Sequence, residues 1–552
     1  MKKAHKAHRT PERINNACIF CRKRKVRCDG AQPACSRCSE MGQADDCEYA
    51  DSTGQTTSQH LETSIARLEA RIRELGGTLP TSPEVVIHEP HLEEQPLGTS
   101  FSSWNSGKRD QPQQARIQFT LPENWWQTPI PPQNVAKILF EVFARHASQF
   151  GFFLNGPRIV KSVFAPDSRR PISPSLLNSI LLFGIHLSGS PALQARESIF
   201  LGRALQSTTS LRPYQMIQNI QSEVLLAQYF LKQGRFVEAM HRINTAASLS
   251  IGCGLHRLQG PHTEKTAYTL PSTNDAIEQG ERVNAFWSIM ASHKIFSIIM
   301  RWPSSVSDIL DEQIDLPWPL DMEVYESGIV PINPQRQWTM KTFIDDPMST
   351  NFQGTNSRLA QYAKAASLFE RASHIGGHHT NLADPEEYAQ LTSFELGLNQ
   401  VIQTLPSFST LEGSIDTIRH RLVTFTLCQV AIIQLHSTLD NPASIHKTLN
   451  AARAVVAVNE RIPNIQAWEY IDSTIGTLWV AVARVIIRAI ATIENPRGAT
   501  RGWAASVSSA DYLALKTAFT NLIGTMSIFA PRCLLIDYQL NRVQDSYKAL
   551  CR

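Results

Sequence analysis

Six of the chain's ten cysteines crowd into one short stretch: Cys18, Cys21, Cys28, Cys35, Cys38 and Cys47, with two, six, six, two and eight residues between successive members. The other four, Cys253, Cys428, Cys533 and Cys551, are scattered. The chain opens Met1-Lys2-Lys3-Ala4-His5-Lys6 with no apolar segment behind it, so no secretory leader is expected and the working compartment is expected to be reducing. In such a compartment paired Cys-x-x-Cys elements are read as thiolate ligands for zinc rather than as disulfides or a redox dithiol. Ligand number then sets the stoichiometry. One tetrahedral zinc would leave two thiolates idle, and two separate tetrahedral sites need more sulfurs than are present. Six thiolates serve two zinc ions if two of them bridge. The stretch divides into similar halves, Cys18-x2-Cys21-x6-Cys28 and Cys35-x2-Cys38-x8-Cys47, each holding one metal and sharing one sulfur with the other.

Little else in this stretch can sustain a fold. Apart from alanine its apolar side chains are Ile19, Phe20, Val26 and Met41, too few to offset backbone ordering at roughly 1 to 2 kcal/mol per residue. Metal ligation, which contributes on the order of 10 kcal/mol for structural zinc, must supply it. Charge is equally uneven. The first 28 residues hold ten Lys and Arg against Glu12 alone, a net of +9, while the whole chain is +4, which leaves the remainder at −5. A basic head on a mildly acidic body points to a polyanionic partner for the head. Five of those cations, Arg22, Lys23, Arg24, Lys25 and Arg27, lie between Cys21 and Cys28, in a segment without Gly or Pro that reads as a short helix. A helix end fits the major groove of DNA, where Lys or Arg donates to guanine O6 and N7, and the remaining cations meet phosphates.

On these residues, Cys18 to Cys47 resembles the fungal binuclear zinc-cluster (Zn2Cys6) DNA-binding domain. The likeness covers the spacing, the run Cys21-Arg22-Lys23-Arg24-Lys25-Val26-Arg27-Cys28-Asp29-Gly30, and Pro33 in the loop joining the halves. The last gap of eight is at the long end of the family's range. The resemblance implies two zinc ions per chain bound within 18–48, with Cys18 and Cys35 bridging. It also implies Lys25 as the contact to the bases of a CGG-type triplet, with Arg24 as the second candidate. Arg22, Lys23 and Arg27 are assigned to phosphate or sugar. The arm over 1–17, with Lys2, Lys3, Lys6, Arg9 and Arg13, adds nonspecific affinity, serves nuclear import together with Arg22 to Lys25, or is a solubilising tail.

A polar linker is expected over 49–60. Beyond it Leu61, Ile65, Leu68, Ile72, Leu75 and Leu79 are spaced by alternating fours and threes, a heptad seam ended by Gly76-Gly77 and Pro80. Ile at a and Leu at d favour a parallel two-stranded coil over 61–79 and hence a homodimer; an amphipathic helix packed on the body is the alternative. Residues 80–129 turn to Pro, Ser, Gln and Glu and read as a disordered tether. From 130 to 552 apolar residues recur at helical spacing, as in Val135 to Phe143, Val224 to Leu231, Phe236 to Ile251, Ala285 to Met300, Leu422 to Leu435 and Ile475 to Ile490. Strand alternation is nearly absent, so the expected fold is mainly α: a metal-nucleated module, a short coiled coil and a large all-α body. Apolar stretches such as Pro171 to Ala195 are interrupted, so none is expected to span a bilayer and a soluble protein is expected.

Within the body, Gly254-Leu255-His256-Arg257, Glu281-Arg282 leading to Phe286-Trp287, Arg301-Trp302-Pro303 and Ile314-Asp315-Leu316-Pro317 resemble the fungal-specific transcription factor domain, or middle homology region. The family usually shows a Gly-Arg-Pro-like turn where this chain has Arg301-Trp302-Pro303, which leaves the shape of that loop open. The resemblance implies a helical regulatory domain with an effector pocket rather than a catalyst. A search for catalytic groups agrees. No P-loop, G-x-S-x-G or H-E-x-x-H occurs, nor a G-x-G-x-x-G after a strand. His374, His378 and His379 flank Gly376-Gly377 in an expected loop without a carboxylate at ligand spacing. His256 is expected to be structural, and Cys253 a small buried residue in a tight turn. The leading expectation is a nuclear, zinc-dependent transcription factor that reads CGG-like half-sites in double-stranded DNA as a dimer, under the control of a small-molecule effector or coregulators. The alternative is an enzyme or metabolite-binding helical protein that uses the zinc cluster for targeting. A zinc-dependent interaction module that does not bind DNA fits poorly with five cations between ligands.

Overall fold

The computed structural model describes residues 17–31, 34–42, 47, 49, 66, 122–164, 171–207, 215–257, 270, 271, 273, 275–302, 313–330, 339–345, 357–377, 385–408 and 413–551, together with the backbone of 85–89 and 115–119. The basic arm before residue 17 and the seam residues Leu61, Ile65, Leu68, Ile72 and Leu75 lie outside the described residues. The chain divides into two compact units, 1–83 and 84–552.

In the first unit two five-residue helices, α1 (Ile19–Lys23) and α2 (Ser36–Glu40), each start on a cysteine. The interior is sulfur: Cys18, Cys21, Cys35, Cys38 and Cys47 are buried together, and Phe20, Cys28, Ala34 and Tyr49 pack against them. No aliphatic side chain is buried among the described residues of this unit. The expected helix across Cys21 to Cys28 is shorter than anticipated, because it stops at Lys23.

The second unit opens with two strands, β1 (Val85–Glu89) and β2 (Ala115–Phe119), paired antiparallel with Val85 opposite Phe119 and Glu89 opposite Ala115. They fall inside the stretch expected as a disordered tether. The sequence permits them: Val85-Val86-Ile87 is β-branched, and Ala115-Arg116-Ile117-Gln118-Phe119 alternates apolar and polar.

Among the described residues the rest is helix and connection. The helices are α3 (Gln133–Ala144), α4 (Gly156–Phe164), α5 (Pro174–Leu187), α6 (Pro191–Gln194), α7 (Glu197–Ser207), α8 (Met216–Lys232), α9 (Phe236–Gly252), α10 (Ala276–Met300), α11 (Met322–Glu326), α12 (Thr339–Asp345), α13 (Arg358–Gly377), α14 (Pro385–Thr404), α15 (Ile415–His436), α16 (Pro442–Arg461), α17 (Thr474–Glu494), α18 (Arg501–Ser506), α19 (Tyr512–Phe529) and α20 (Leu534–Leu550). Their starts follow capping chemistry. Ser173 accepts the Leu176 N–H with Pro174 at the first helical position, Asn441 accepts Ser444 N–H with Pro442 there, and Ser414 and Asp275 cap α15 and α10. Antiparallel pairs result where the connection is tight: α8 turns into α9 at Gly234 (φ +71°), and the Arg235 N–H closes back on the Phe230 carbonyl at 2.9 Å. One apolar core runs from Trp125 to Cys551, with α10, α13, α15 and α17 in its middle.

Two expectations are corrected here. Gly376 and Gly377 are the last turn of α13, not a loop: a Cβ at Gly376 would lie 2.0 Å from the Gln434 carbonyl of α15, so glycine serves close helix approach at this crossing. His374 is exposed on that helix, and His378 and His379 lie outside the described residues. Two segments are long and apolar enough to cross a membrane by length and composition: α17, mean hydropathy 1.7 and 67% buried over its most apolar window, and Ser509–Arg532, mean hydropathy 1.3 and 33% buried. The apolar composition of α17 follows from its burial against α15, α16, α19 and α20.

Glycine in these helices therefore divides into close-contact and free positions. Gly376→Ala is expected to destabilise the body by about 1 to 3 kcal/mol through overpacking. Gly524→Ala in α19, where an added methyl meets nothing within 4 Å, is expected to stabilise it by about 0.5 to 1 kcal/mol. Denaturant midpoints of the two variants against the parent chain read both signs.

Candidate metal centre and nucleic-acid interface

The metal centre is built by two copies of one local device. Cys18 is the N-cap of α1 and its sulfur accepts the Cys21 N–H at 3.3 Å; Cys35 is the N-cap of α2 and accepts the Cys38 N–H at 3.4 Å. A sulfur in the place of the usual capping oxygen thus starts each helix and fixes the direction of the next cysteine, one turn on. Cys47 Sγ accepts the Cys35 N–H at 3.2 Å, which ties the tail of the second half to its head.

The six sulfurs form two overlapping sets of four, Cys18, Cys21, Cys28 and Cys35, and Cys18, Cys35, Cys38 and Cys47, with all ligand atoms of a set within 4.8 Å of one another. Cys18 and Cys35 belong to both. Sulfur separations are 3.8 Å for Cys18–Cys35, 3.8 Å for Cys18–Cys38 and 3.7 Å for Cys21–Cys35. A tetrahedron with Zn–S bonds of about 2.3 Å has edges of about 3.8 Å, so the donor set fits zinc in number, chemistry and spacing. None of the ten cysteines is in a disulfide. Burial raises the Cys21 thiol and pushes Cys38 up to about 12, whereas the Cys38 N–H holds Cys35 below its ordinary value.

Outside the sulfurs, hydrogen bonds that the cysteine pattern does not advertise brace the module. The Asp29 carboxylate accepts the Ser36 N–H at 3.2 and 3.3 Å and its hydroxyl, joining the end of the first half to the start of α2, and the Ser36 bonds hold that carboxyl below its usual range. Tyr49, expected at the start of the linker, belongs to the module: it packs on the sulfur cluster and donates to the Ala31 carbonyl at 2.8 Å.

Arg22, Lys23, Arg24, Lys25 and Arg27 are all exposed. They line the C-terminal end of α1, where positive side chains are favoured by the helix dipole, and the chain just beyond it. The Arg24 guanidinium sits 4.4 Å from the Phe20 ring centre. Lys25 leaves the helix in the left-handed region, φ +54°, with its N–H on the Arg22 carbonyl (3.2 Å) and the Val26 N–H on the Cys21 carbonyl (3.1 Å). This is the helix-ending motif that normally uses glycine. The second half does use it: Gly42 has φ +68° and bonds the Ser39 carbonyl at 3.2 Å. A lysine there costs on the order of 1 kcal/mol.

In the body, the sequence landmarks come together around α10. Gly254 (φ +74°) closes α9, the buried Leu255 returns its N–H to the Ser250 carbonyl at 2.9 Å, and Cys253 is buried in that turn as expected. His256 is buried, and burial pushes it down to about 4, so it is a neutral structural residue. The Trp287 indole donates to the Pro317 carbonyl at 2.8 Å and stacks on Trp318 at 4.4 Å, which anchors the Ile314–Pro317 segment. Arg301, in the place of the family's glycine, ends α10 in the left-handed region at φ +53°, a helix end made without glycine.

A sulfur-nucleated basic module followed by an all-helical body with these landmarks defines an architecture, and comparison with known proteins gives it a name. Residues 16–56 match the fungal Zn(2)-Cys(6) binuclear cluster domain, which binds two zinc ions, and residues 142–361 match the fungal specific transcription factor domain. The helices after α13 lie beyond the second match yet share its core. The chain is 37% identical over 82 residues to an uncharacterized transcriptional regulatory protein of Schizosaccharomyces pombe, covering 14% of this chain and 10% of that one. It is 40% identical over 68 residues to transcriptional activator protein acu-15 of Neurospora crassa (11% and 7%), and 35% identical over 104 residues to the heme-responsive zinc finger transcription factor HAP1 of Saccharomyces cerevisiae (18% and 6%). The matches thus span a tenth or less of these relatives' length. The families and relatives are transcription regulators, not enzymes.

Membership of the sulfurs in one set or both gives unequal consequences. Cys28→Ser is expected to leave one zinc per chain at reduced affinity, because the set with Cys38 and Cys47 stays complete, whereas Cys18→Ser weakens both sites and releases both ions. Native mass spectrometry of the zinc-loaded variants counts the ions, and equal loss from the two variants would refute the sharing.

Proposed function

We propose that the chain is a nuclear, sequence-specific DNA-binding transcription factor. Its two zinc ions, bridged by Cys18 and Cys35 and completed by Cys21, Cys28, Cys38 and Cys47, hold rigid the turn that carries Lys25. The observation that carries this reading is the strained placement of Lys25 at the exposed end of α1. A glycine there would cost less, so a lysine retained at that point is there for its side chain. Lys25, with Arg24 beside it, donates to the guanine edges of a CGG-like triplet in the major groove, where a bidentate contact contributes about 1 to 3 kcal/mol of discrimination. Arg22, Lys23 and Arg27 meet phosphates and set the register.

One such module makes few contacts. The heptad seam Leu61, Ile65, Leu68, Ile72 and Leu75 pairs two copies, so that each reads a half-site and the second binding step becomes intramolecular. The helical body receives an effector or coregulator and transmits it to that pair. The matched relatives named as a transcriptional activator and a zinc finger transcription factor support regulation of transcription.

Selection of bound duplexes from a random library by the full chain is expected to return a CGG-like triplet, in two copies at one fixed spacing. In subsequent titrations Lys25→Ala loses the preference for the selected site with zinc still bound, while Arg22→Ala weakens selected and random duplexes alike and lowers the slope of log K against log salt by about 0.9. Lys25→Gly separates the two roles of that position: the module resists a chelator better than the parent and loses the preference as fully as Lys25→Ala. Equal loss of preference in the Lys25 and Arg22 variants would refute the assignment.

A further inference from the structure

The helical body contains a cleft of about 550 Å³ between the C-terminal end of α10, α17 and α20, with the start of α9 at one side. Its floor is apolar, formed among others by the buried Phe369, Leu478, Ile487 and Val543. Its rim concentrates large apolar and aromatic side chains that are open to solvent: Val237 is 66% exposed, Trp302 47% and Tyr538 53%. Three cations join them, Arg301, Arg484 and Arg542, from three different elements, and among the described residues no aspartate or glutamate lines the cleft. Among the described residues none of the three guanidinium groups makes an ion pair, although the chain is otherwise generous with arginine–carboxylate pairs such as Arg158–Asp275 at 2.6 Å. Burial, then the positive charge of Arg301 and of Arg542, holds Arg484 below its ordinary value. Arg542 lies 5.8 Å from the Tyr538 ring centre.

Like charges brought together without a counter-ion lower stability, and exposed aromatic side chains gathered at one cleft do the same. Where both features coincide with a cavity in the 300 to 1,000 Å³ range of small-molecule sites, a ligand that cures both is the economical explanation. We infer that this cleft binds a small amphipathic organic anion, a carboxylate or sulfonate on an apolar skeleton, with the anionic group held by Arg301, Arg484 and Arg542 and the skeleton laid over the apolar floor beneath Trp302. Arginine is the residue suited to this, because its planar fork meets a carboxylate with two hydrogen bonds and its apolar faces stack on aromatic rims. The cleft lies within the helical body and uses none of the DNA-binding side chains. The inference gives the effector of the proposed function a chemical class, and only the regulatory consequence of binding rests on that reading.

The test uses the full zinc-loaded chain without DNA, titrated with 8-anilinonaphthalene-1-sulfonate and followed by fluorescence. One site per chain is expected, from which decanoate below its micellar concentration displaces the probe while decanol and decyltrimethylammonium at equal concentration do not. Arg484→Gln combined with Arg542→Gln is expected to weaken the probe at least tenfold, with a thermal midpoint equal to or above the parent's because the repulsion is relieved. Unchanged affinity in that variant, equal displacement by decanol, or displacement by an acidic aromatic peptide but not by decanoate would overturn the site. Because DNA is absent, failure of DNA recognition does not affect the result. A confirmed site whose occupancy leaves DNA affinity and reporter output unchanged would overturn its role as the effector site while leaving the binding intact.

Discussion

Sharing of two sulfurs between two tetrahedral sets is the constraint on which the amino-terminal module depends. Cys18 and Cys35 each belong to both sets and each caps a helix, so metal ligation, helix initiation and the joining of the two halves are one event. A stretch this short with almost no apolar interior has no folded state to fall back on without the ions. The same economy frees its surface. Because the interior is made of ligands, the side chains between Cys21 and Cys28 are not needed for packing, and five cations can stand side by side. Zinc-bound thiolates carry net negative charge, which sits beneath those cations and offsets part of their mutual repulsion. The centre that holds the fold thus also makes the basic surface tolerable.

The body is governed by a different balance, the burial of long apolar helices that must still avoid one another's backbones. Where α13 crosses α15 at Gly376 and α5 crosses α3 at Gly184, a Cβ would lie 2.0 Å and 2.4 Å from a carbonyl of the facing helix. Two of the polar groups that such packing buries are paired across elements: the Lys294 ammonium of α10 donates to Glu370 of α13, and the Trp287 indole finds the Pro317 carbonyl. A buried ion pair of this kind is a weak source of stability but a strong one of register, since one partner without the other is costly. These contacts align α10 with α13 and with the Ile314–Pro317 segment, and so link the stretch matched to the transcription factor domain with the helices that follow it.

What the sequence disclosed, and what it hid, divides along physical lines. Ligand chemistry allows few spacings, so the six cysteines declared two overlapping tetrads, and the periodicity of 130–552 declared helices. Local conformation was less legible wherever one residue type serves two purposes. Gly376-Gly377 had the composition of a loop because glycine marks turns, yet it serves close approach inside a helix. The run from Cys21 to Cys28 has no helix breaker, so nothing in it signalled that Lys25 would take a left-handed conformation one residue past the cap. Ala115 to Phe119 alternates over only five residues inside a Pro- and Ser-rich stretch, too short a signal to stand out. The helical period of Ile475 to Ile490 was legible across Arg484 and Arg488, which interrupt the apolar run without interrupting the helix, and α17 extends only a few residues beyond it.

Among the described residues four other than glycine take a positive φ: Lys25, Asn124, Arg301 and Asn464. Asparagine tolerates this region well, and its presence asks for no explanation. The two long cationic residues are different, because each occupies the end of a helix where glycine would be cheaper and where this chain uses glycine elsewhere, at Gly42 and Gly254. The cost is small, but no packing offsets it, since both residues are exposed. What they share is the direction that a left-handed residue at a helix end imposes: the chain turns back sharply and the side chain is thrown clear of the helix. Lys25 stands in the middle of the exposed cation run, and Arg301 lines the cleft that holds Arg484 and Arg542. A positive charge delivered rigidly to a point beyond a helix terminus, from a backbone locked by two carbonyl bonds at Lys25 and by the Ser297 and Ile298 carbonyls at Arg301, is what recognition of an anion requires. The strain recurs at the two places in the chain with the strongest independent grounds for anion binding, and a purely structural account of either residue leaves that coincidence unexplained.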